Sequence, residues 1–145
     1  MLAYALGKED GRAQFYVDGA EATSGSRATV PYQKNKKRAV HSYPVDVRKL
    51  SSFITEPVDL LKIDIEGGES DVLEELRVAD KLKLVKATQL ECHYIPGFVT
   101  KRLSEVLALL EGEGFTTFVS SPSLPHEAVG RDALRTCMVF AWRDS

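Results

Sequence analysis

Cysteine is scarce in this chain of 145 residues: there are two, Cys92 and Cys137, and no Cys-x-x-Cys pair. That excludes a disulfide-stapled scaffold and a thiolate zinc site, and the expectation is two reduced, buried thiols in a cytoplasmic protein. Long apolar runs are lacking too. None approaches the roughly 20 residues that span a bilayer, and the opening Met1 to Gly7 meets charge too soon to read as a secretory leader. Excess charge is absent, with a formal net charge of −2, so neither nucleic acid nor an anionic membrane is expected as a partner. There is no Gly-x-Gly-x-x-Gly-like run, and Gly7 to Gly11 reads as a loop between strands rather than a strand-to-helix turn. What remains, 43% hydrophobic and 28% charged, is ordinary globular material. Residues 1–145 make about one domain with a real core.

The chain is organised around Val58-Asp59-Leu60-Leu61-Lys62-Ile63-Asp64-Ile65-Glu66-Gly67-Gly68-Glu69. Val58, Leu60, Leu61, Ile63 and Ile65 form a nearly continuous apolar run, the pattern of a parallel strand covered on both faces. Asp64 and Glu66 stand at its carboxyl end and, by strand alternation, on one side of it. Ligands of open α/β sheets bind at that end. Gly67-Gly68 permits a tight turn, and Glu69 and Asp71 put negative charge into a first helical turn. The same acids also read as structural capping groups of an ordinary strand-to-helix turn.

In chain order, Leu2 to Leu6 and Ala13 to Val17 read as a hairpin. Residues 18–43 form the least regular stretch and read as a loop whose basic run Lys34 to Arg38 is solvated surface. Tyr43 to Val47 reads as a strand kept off a sheet centre by Pro44, and Asp46 to Ile54 as a short helix ended before Pro57. Past the glycine turn, Val72, Leu73, Leu76 and Val78 or Ala79 recur at helical spacing. A strand over Leu84 to Tyr94 follows, then a helix over Lys101 to Glu113 with Leu103, Val106, Leu107 and Leu110 as its buried stripe. Phe115 to Val119 and Thr136 to Trp142 are the last strands. The order gives an α/β fold, parallel strands finished by an antiparallel pair.

The string Asp59 to Glu69, followed by Val72-Leu73, resembles the signature of the FkbM-type S-adenosylmethionine-dependent methyltransferases. Val47-Arg48-Lys49-Leu50 upstream, Leu90-Glu91-Cys92-His93 downstream, and Ala5-Leu6-Gly7, Gly11 and Phe15 fit in order. The resemblance implies an incomplete Rossmann-like class I methyltransferase sheet, covering the later part of such a domain and beginning at its third strand. It implies S-adenosylmethionine as cofactor, with Asp64 nearest the methyl group. It also implies a small-molecule acceptor bearing a hydroxyl, of sugar, lipid or polyketide type. The loop 18–43 would lie near the substrate, which makes Ser24, Ser26 and Arg27 candidate substrate contacts.

Methyl transfer is an in-line displacement, so the protein must align the acceptor and remove its proton. Alignment can supply about 7–11 kcal/mol and a positioned base roughly 10²–10⁴-fold. Asp64, Glu66, Glu91 and His93 come from two strand ends expected to be neighbours. His93 is the candidate base, since its ordinary pKa lies near neutrality, although a packed strand-end histidine is an equal reading. Glu66 would orient the acceptor or cap the turn, Glu91 would contact substrate, and Cys92 alternates into the core. The same groups are also hard-metal ligands and would suit a hydrolase, but no second histidine stands near His93 and no metal site is expected. With the glycine-rich cofactor loop absent, the chain is expected to be inactive alone. A noncatalytic, truncated remnant that associates or binds a ligand is the alternative. The 60–65 strand would then expose an edge, repaired either by the N-terminal hairpin or by a homodimer.

Overall fold

The computed structural model describes residues 4–18, 25–26, 40–65, 68–94, 100–120 and 135–144. Of these, 16–18, 25–26, 40–41, 93–94, 100–102 and 135–136 are described by backbone alone. The strands are β1 (Ala5–Leu6), β2 (Gly11–Asp18), β3 (Gly25–Ser26), β4 (Val40–Arg48), β5 (Val58–Ile63), β6 (Val85–Tyr94), β7 (Thr116–Ser120) and β8 (Arg135–Trp142). Two helices, α1 (Glu69–Val78) and α2 (Thr100–Gly112), and 3₁₀ turns at Leu50–Ser52 and Leu82–Leu84 complete the described elements. No helix among the described residues is long and apolar enough to cross a membrane.

Two four-stranded sheets form, ordered β1-β4-β2-β3 and β5-β6-β8-β7. In the second, β5 and β6 are parallel, while β8 runs antiparallel to both β6 and β7. This is the expected α/β arrangement of parallel strands finished by an antiparallel pair. Residues Ile63, Thr88, Leu90, Cys92, Cys137, Val139 and Ala141 share one face by register and are buried there. Val72, Leu73 and Leu76 of α1 and Val106 and Leu110 of α2 belong to the same core. The helical stripe read from the sequence is therefore the packed one, except at its end, where Val78 is 72% exposed. Arg143, just past β8, stacks its guanidinium 3.9 Å from the Phe115 ring centroid and donates to the Leu82 carbonyl at 3.3 Å.

Four expectations are corrected. The N-terminal hairpin does not form, because β4 lies between its two strands: β1 pairs with β4 in parallel at Val47 and Arg48, and β2 pairs antiparallel along β4 from Gly11↔Val47 to Asp18↔Val40. The intervening loop wraps the end of β4, with the Gly7 amide donating to the Arg48 carbonyl and the Lys49 amide donating to Asp10 Oδ1. An eight-residue ladder outweighs a tight turn. The irregular stretch is narrower than 18–43, since Asp18, Gly25–Ser26 and Val40 onward lie in strands. Asp46–Ile54 is not a helix: Asp46 to Arg48 are committed to the β2 ladder, and only the 3₁₀ turn follows, held where the Ser51 amide donates to Glu75 Oε2 at 3.1 Å. Finally, β5 is not covered on both faces. Leu60 is 60% exposed, and among the described residues β5 is the edge strand that the sequence leads one to expect. Pro44 sits within β4 opposite Gln14, at a level that β1, pairing only at Val47 and Arg48, does not reach.

Candidate functional site

The parallel pair β5 and β6 brings the two expected strand ends together. Ile63 is opposite Leu90, so Asp64, one residue past β5, stands level with Glu91. Lys62 lies opposite Gln89, on the sheet face turned away from the two helices. Its ammonium approaches Asp64 Oδ2 at 3.4 Å, which places the Asp64 carboxylate on that same side. Glu91 alternates onto this face as well and is half-buried. Register thus sets Asp64, with Lys62 beside it, level with Glu91 on one face near the carboxyl ends of adjacent parallel strands, the end at which an open α/β sheet presents its ligand site. Lys62 as the neighbour of Asp64 was missed by sequence reasoning, although the i, i+2 spacing on a strand carries that signal.

His93 continues β6 two residues beyond Glu91, with its backbone opposite Thr136. Its side chain lies outside what is described. Ser26 falls in β3 opposite Tyr16. Glu66, Ser24 and Arg27 lie outside the described residues, as does the basic run Lys34 to Arg38.

Glu69 opens α1 directly after Gly68 and is only 4% exposed. A helix-start acid reads from sequence as a solvated capping group, so this burial was not anticipated. Its carboxylate acts on Cys92: burial first, then Cys137, then Glu69 push the Cys92 thiol up to about 12. Cys92 is thus core, as its alternation implies. Gly68 precedes the helix with no room to spare, since a Cβ there would come 3.1 Å from Ile65 Cδ1. A larger residue there would need the Ile65 side chain to shift by a few tenths of an ångström.

A sulfonium cofactor is cationic, and Asp64 and Glu91 are a donor set of suitable charge, partly offset by Lys62. Among the described residues no group of three or more His, Cys, Asp or Glu side chains comes together as a metal site would require. Glu66 and the His93 side chain, two of the four groups the hydrolase alternative invokes, lie outside what is described. An open groove of about 660 Å³ runs between α1 and α2, lined by Lys8, Asp71, Glu74, Arg77, Glu105 and Glu113 among others. It includes neither Asp64 nor Glu91, and its charges largely pair with one another, as in Lys8 with Asp71 and Arg77 with Glu74.

Comparison with known proteins bears on this site. The family model described as the methyltransferase FkbM domain matches residues 1–117. A protein named Methyltransferase 1 from Beauveria bassiana (strain ARSEF 2860) is 36% identical over 88 residues, covering 57% of this chain and 33% of that protein. The chain thus aligns with about a third of the length of that relative. No solved structure matches.

Proposed function

The chain belongs to the FkbM methyltransferase family, and from that premise we propose that it serves methyl transfer from S-adenosylmethionine to a hydroxyl of a sugar, lipid or polyketide-like acceptor. The observation that supports this reading is the register that sets Asp64 level with Glu91 on one face of two parallel strands. The cofactor supplies an electrophilic methyl group. The chain's own residues orient and deprotonate: Asp64 faces the cationic end of the cofactor, Glu91 holds the acceptor hydroxyl, and His93 takes its proton. Glu66 supports the acceptor beside the glycine turn, and Ser24, Ser26 and Arg27 contact the rest of it. Because the sequence holds no glycine-rich nucleoside-gripping turn of the Gly-x-Gly-x-x-Gly kind, this chain alone holds the cofactor too loosely to turn over. The test is transfer of radiolabelled methyl to a panel of hydroxylated acceptors, run beside a cofactor-binding measurement. Saturable binding without product is expected. Product formed by the chain alone would refute its inactivity, and absence of binding would refute the site.

A second reading, a noncatalytic association module, is favoured by one observation. The outer edge of β5 pairs with no strand among the described residues, and Leu60 beside it is largely exposed. The N-terminal strands belong to the other sheet, so they do not repair this edge. A second copy of the chain, pairing β5 with β5 about a two-fold axis, would cover it. Sedimentation velocity should then show a homodimer that Leu60→Lys dissociates. A monomer at every concentration would rule that reading out.

A further inference from the structure

We propose that Cys92 and Cys137 are a preformed disulfide site, a cross-strand dithiol that closes by exchange with a small-molecule disulfide. The two residues stand directly opposite each other in the β6–β8 ladder, both are free, and they are 6% and 1% exposed. Facing Cα atoms in an antiparallel ladder lie about 4.5 or about 5.5 Å apart, according to the hydrogen-bonding class of the pair. Both spacings fall inside the roughly 4.4–6.8 Å that a disulfide spans. The facing register therefore meets the Cα requirement of a disulfide, and shared placement on one face of the sheet turns both Cβ atoms to the same side. Register is the decisive fact, because a slip of one residue would put the two side chains on opposite faces of the sheet.

The surroundings set the rate rather than the outcome. Burial, Cys137 and the Glu69 carboxylate raise the Cys92 thiol, and burial raises that of Cys137, in part offset by the hydrogen bond with Cys92. Both thiols are therefore protonated at neutral pH, and exchange is slow. Equilibrium is governed instead by the pre-aligned sulfurs. In the first step the Cys92 thiol gives up its proton and its sulfur attacks one sulfur of the oxidant R–S–S–R. That S–S bond breaks, and RS⁻ leaves and takes up a proton. In the second, Cys137 loses its proton and its sulfur attacks the Cys92 sulfur of the mixed disulfide, expelling the second thiolate, which is protonated in turn. Two protein thiols are oxidised and one disulfide is reduced to two thiols. The new bond would fasten β6 to β8 beside Glu91 and His93, and the inference stands independently of methyl transfer.

The test equilibrates the full chain with reduced and oxidised glutathione at mildly alkaline pH, quenches with acid, and reads intact mass and peptide map. The expected product is lighter by two hydrogens, has no free thiol, and yields a linked peptide joining Cys92 to Cys137. Cys137→Ser should remove that product and leave only a glutathione adduct on Cys92. The peptide map of the unsubstituted chain decides the matter without reliance on the variant. A chain that stays reduced at equilibrium, or that carries glutathione adducts with no linked peptide, overturns the proposal.

Discussion

The Cys92 thiol favours the folded state only while it keeps its proton. In the unfolded chain a thiol ionises near 9.0, and in the folded chain burial and the facing Cys137 and Glu69 push Cys92 up to about 12. Below pH 9 both states are protonated and the contribution is fully present. Between 9 and 12 the unfolded state sheds a proton that the folded state retains, so stability falls as pH rises, by about 1.4 kcal/mol per unit. Cys92→Ala loses packing at every pH but lacks this slope. Denaturant unfolding of both proteins from pH 8 to pH 11 should therefore show their stability gap narrowing with pH. A constant gap would mean that the thiol is not so buried in solution. At the same scale, the position of Asp64 just past the β5 run was legible from the apolar pattern that ends there. The burial of Glu69 was not, since the residue types around it, Gly68 and Ser70, do not reveal the core beneath.

Both helices end in the same way, and the comparison between them is a test. After α1, the Asp80 amide donates to the Arg77 carbonyl at 3.0 Å and the Lys81 amide to Leu76 at 2.8 Å. After α2, the Gly114 amide donates to Glu111 at 3.0 Å and the Phe115 amide to Leu110 at 3.0 Å. Each is a Schellman cap with its pivotal residue in the left-handed region, at φ 57° for Asp80 and 84° for Gly114. Glycine adopts that conformation freely, and aspartate does so at a cost. Asp80→Gly should accordingly stabilise the fold by about 0.5–1 kcal/mol, since the exposed Asp80–Lys83 ion pair it removes contributes little. Gly114→Ala should destabilise by about 1–2 kcal/mol. Thermal unfolding of the two variants reads both signs, and a destabilising Asp80→Gly would contradict the cap assignment. Elements with a strong local period, α1 and α2, were legible in the sequence for this reason. The pairing of β2 was not. Its partner β4 begins more than twenty residues later, and a short glycine-containing loop before β2 carries the local signature of a hairpin whichever strand lies across the sheet.

At the scale of the whole molecule, two sheets divide the work. The first, built on β4, carries the N-terminal strands, while the second holds the core and the strand-end acids under a single layer of helices. Their junction is both apolar and polar: Leu6 of β1 and Leu50 pack against the core, and the Lys8–Asp71 ion pair and the Ser51 bond to Glu75 lie beside them. An apolar run such as Val58 to Ile65 cannot tell a central strand from an edge one, because both need the same residues on the inward face. Only the identity of the neighbours distinguishes them, and Leu60 shows the difference by its exposure. The family assignment, by contrast, was readable from the residues of that same run and its glycine turn.

The central claim is that the joined ends of β5 and β6 form a site for S-adenosylmethionine, with Asp64 facing its cationic end. Isothermal titration of the purified chain with S-adenosylmethionine, beside Asp64→Asn, tests it most directly. The account predicts weak but saturable binding, reduced roughly tenfold or more by Asp64→Asn, on the order of the 1.4 kcal/mol that separates tenfold steps in affinity. No saturable heat at millimolar cofactor, or binding that Asp64→Asn leaves unchanged, would contradict it.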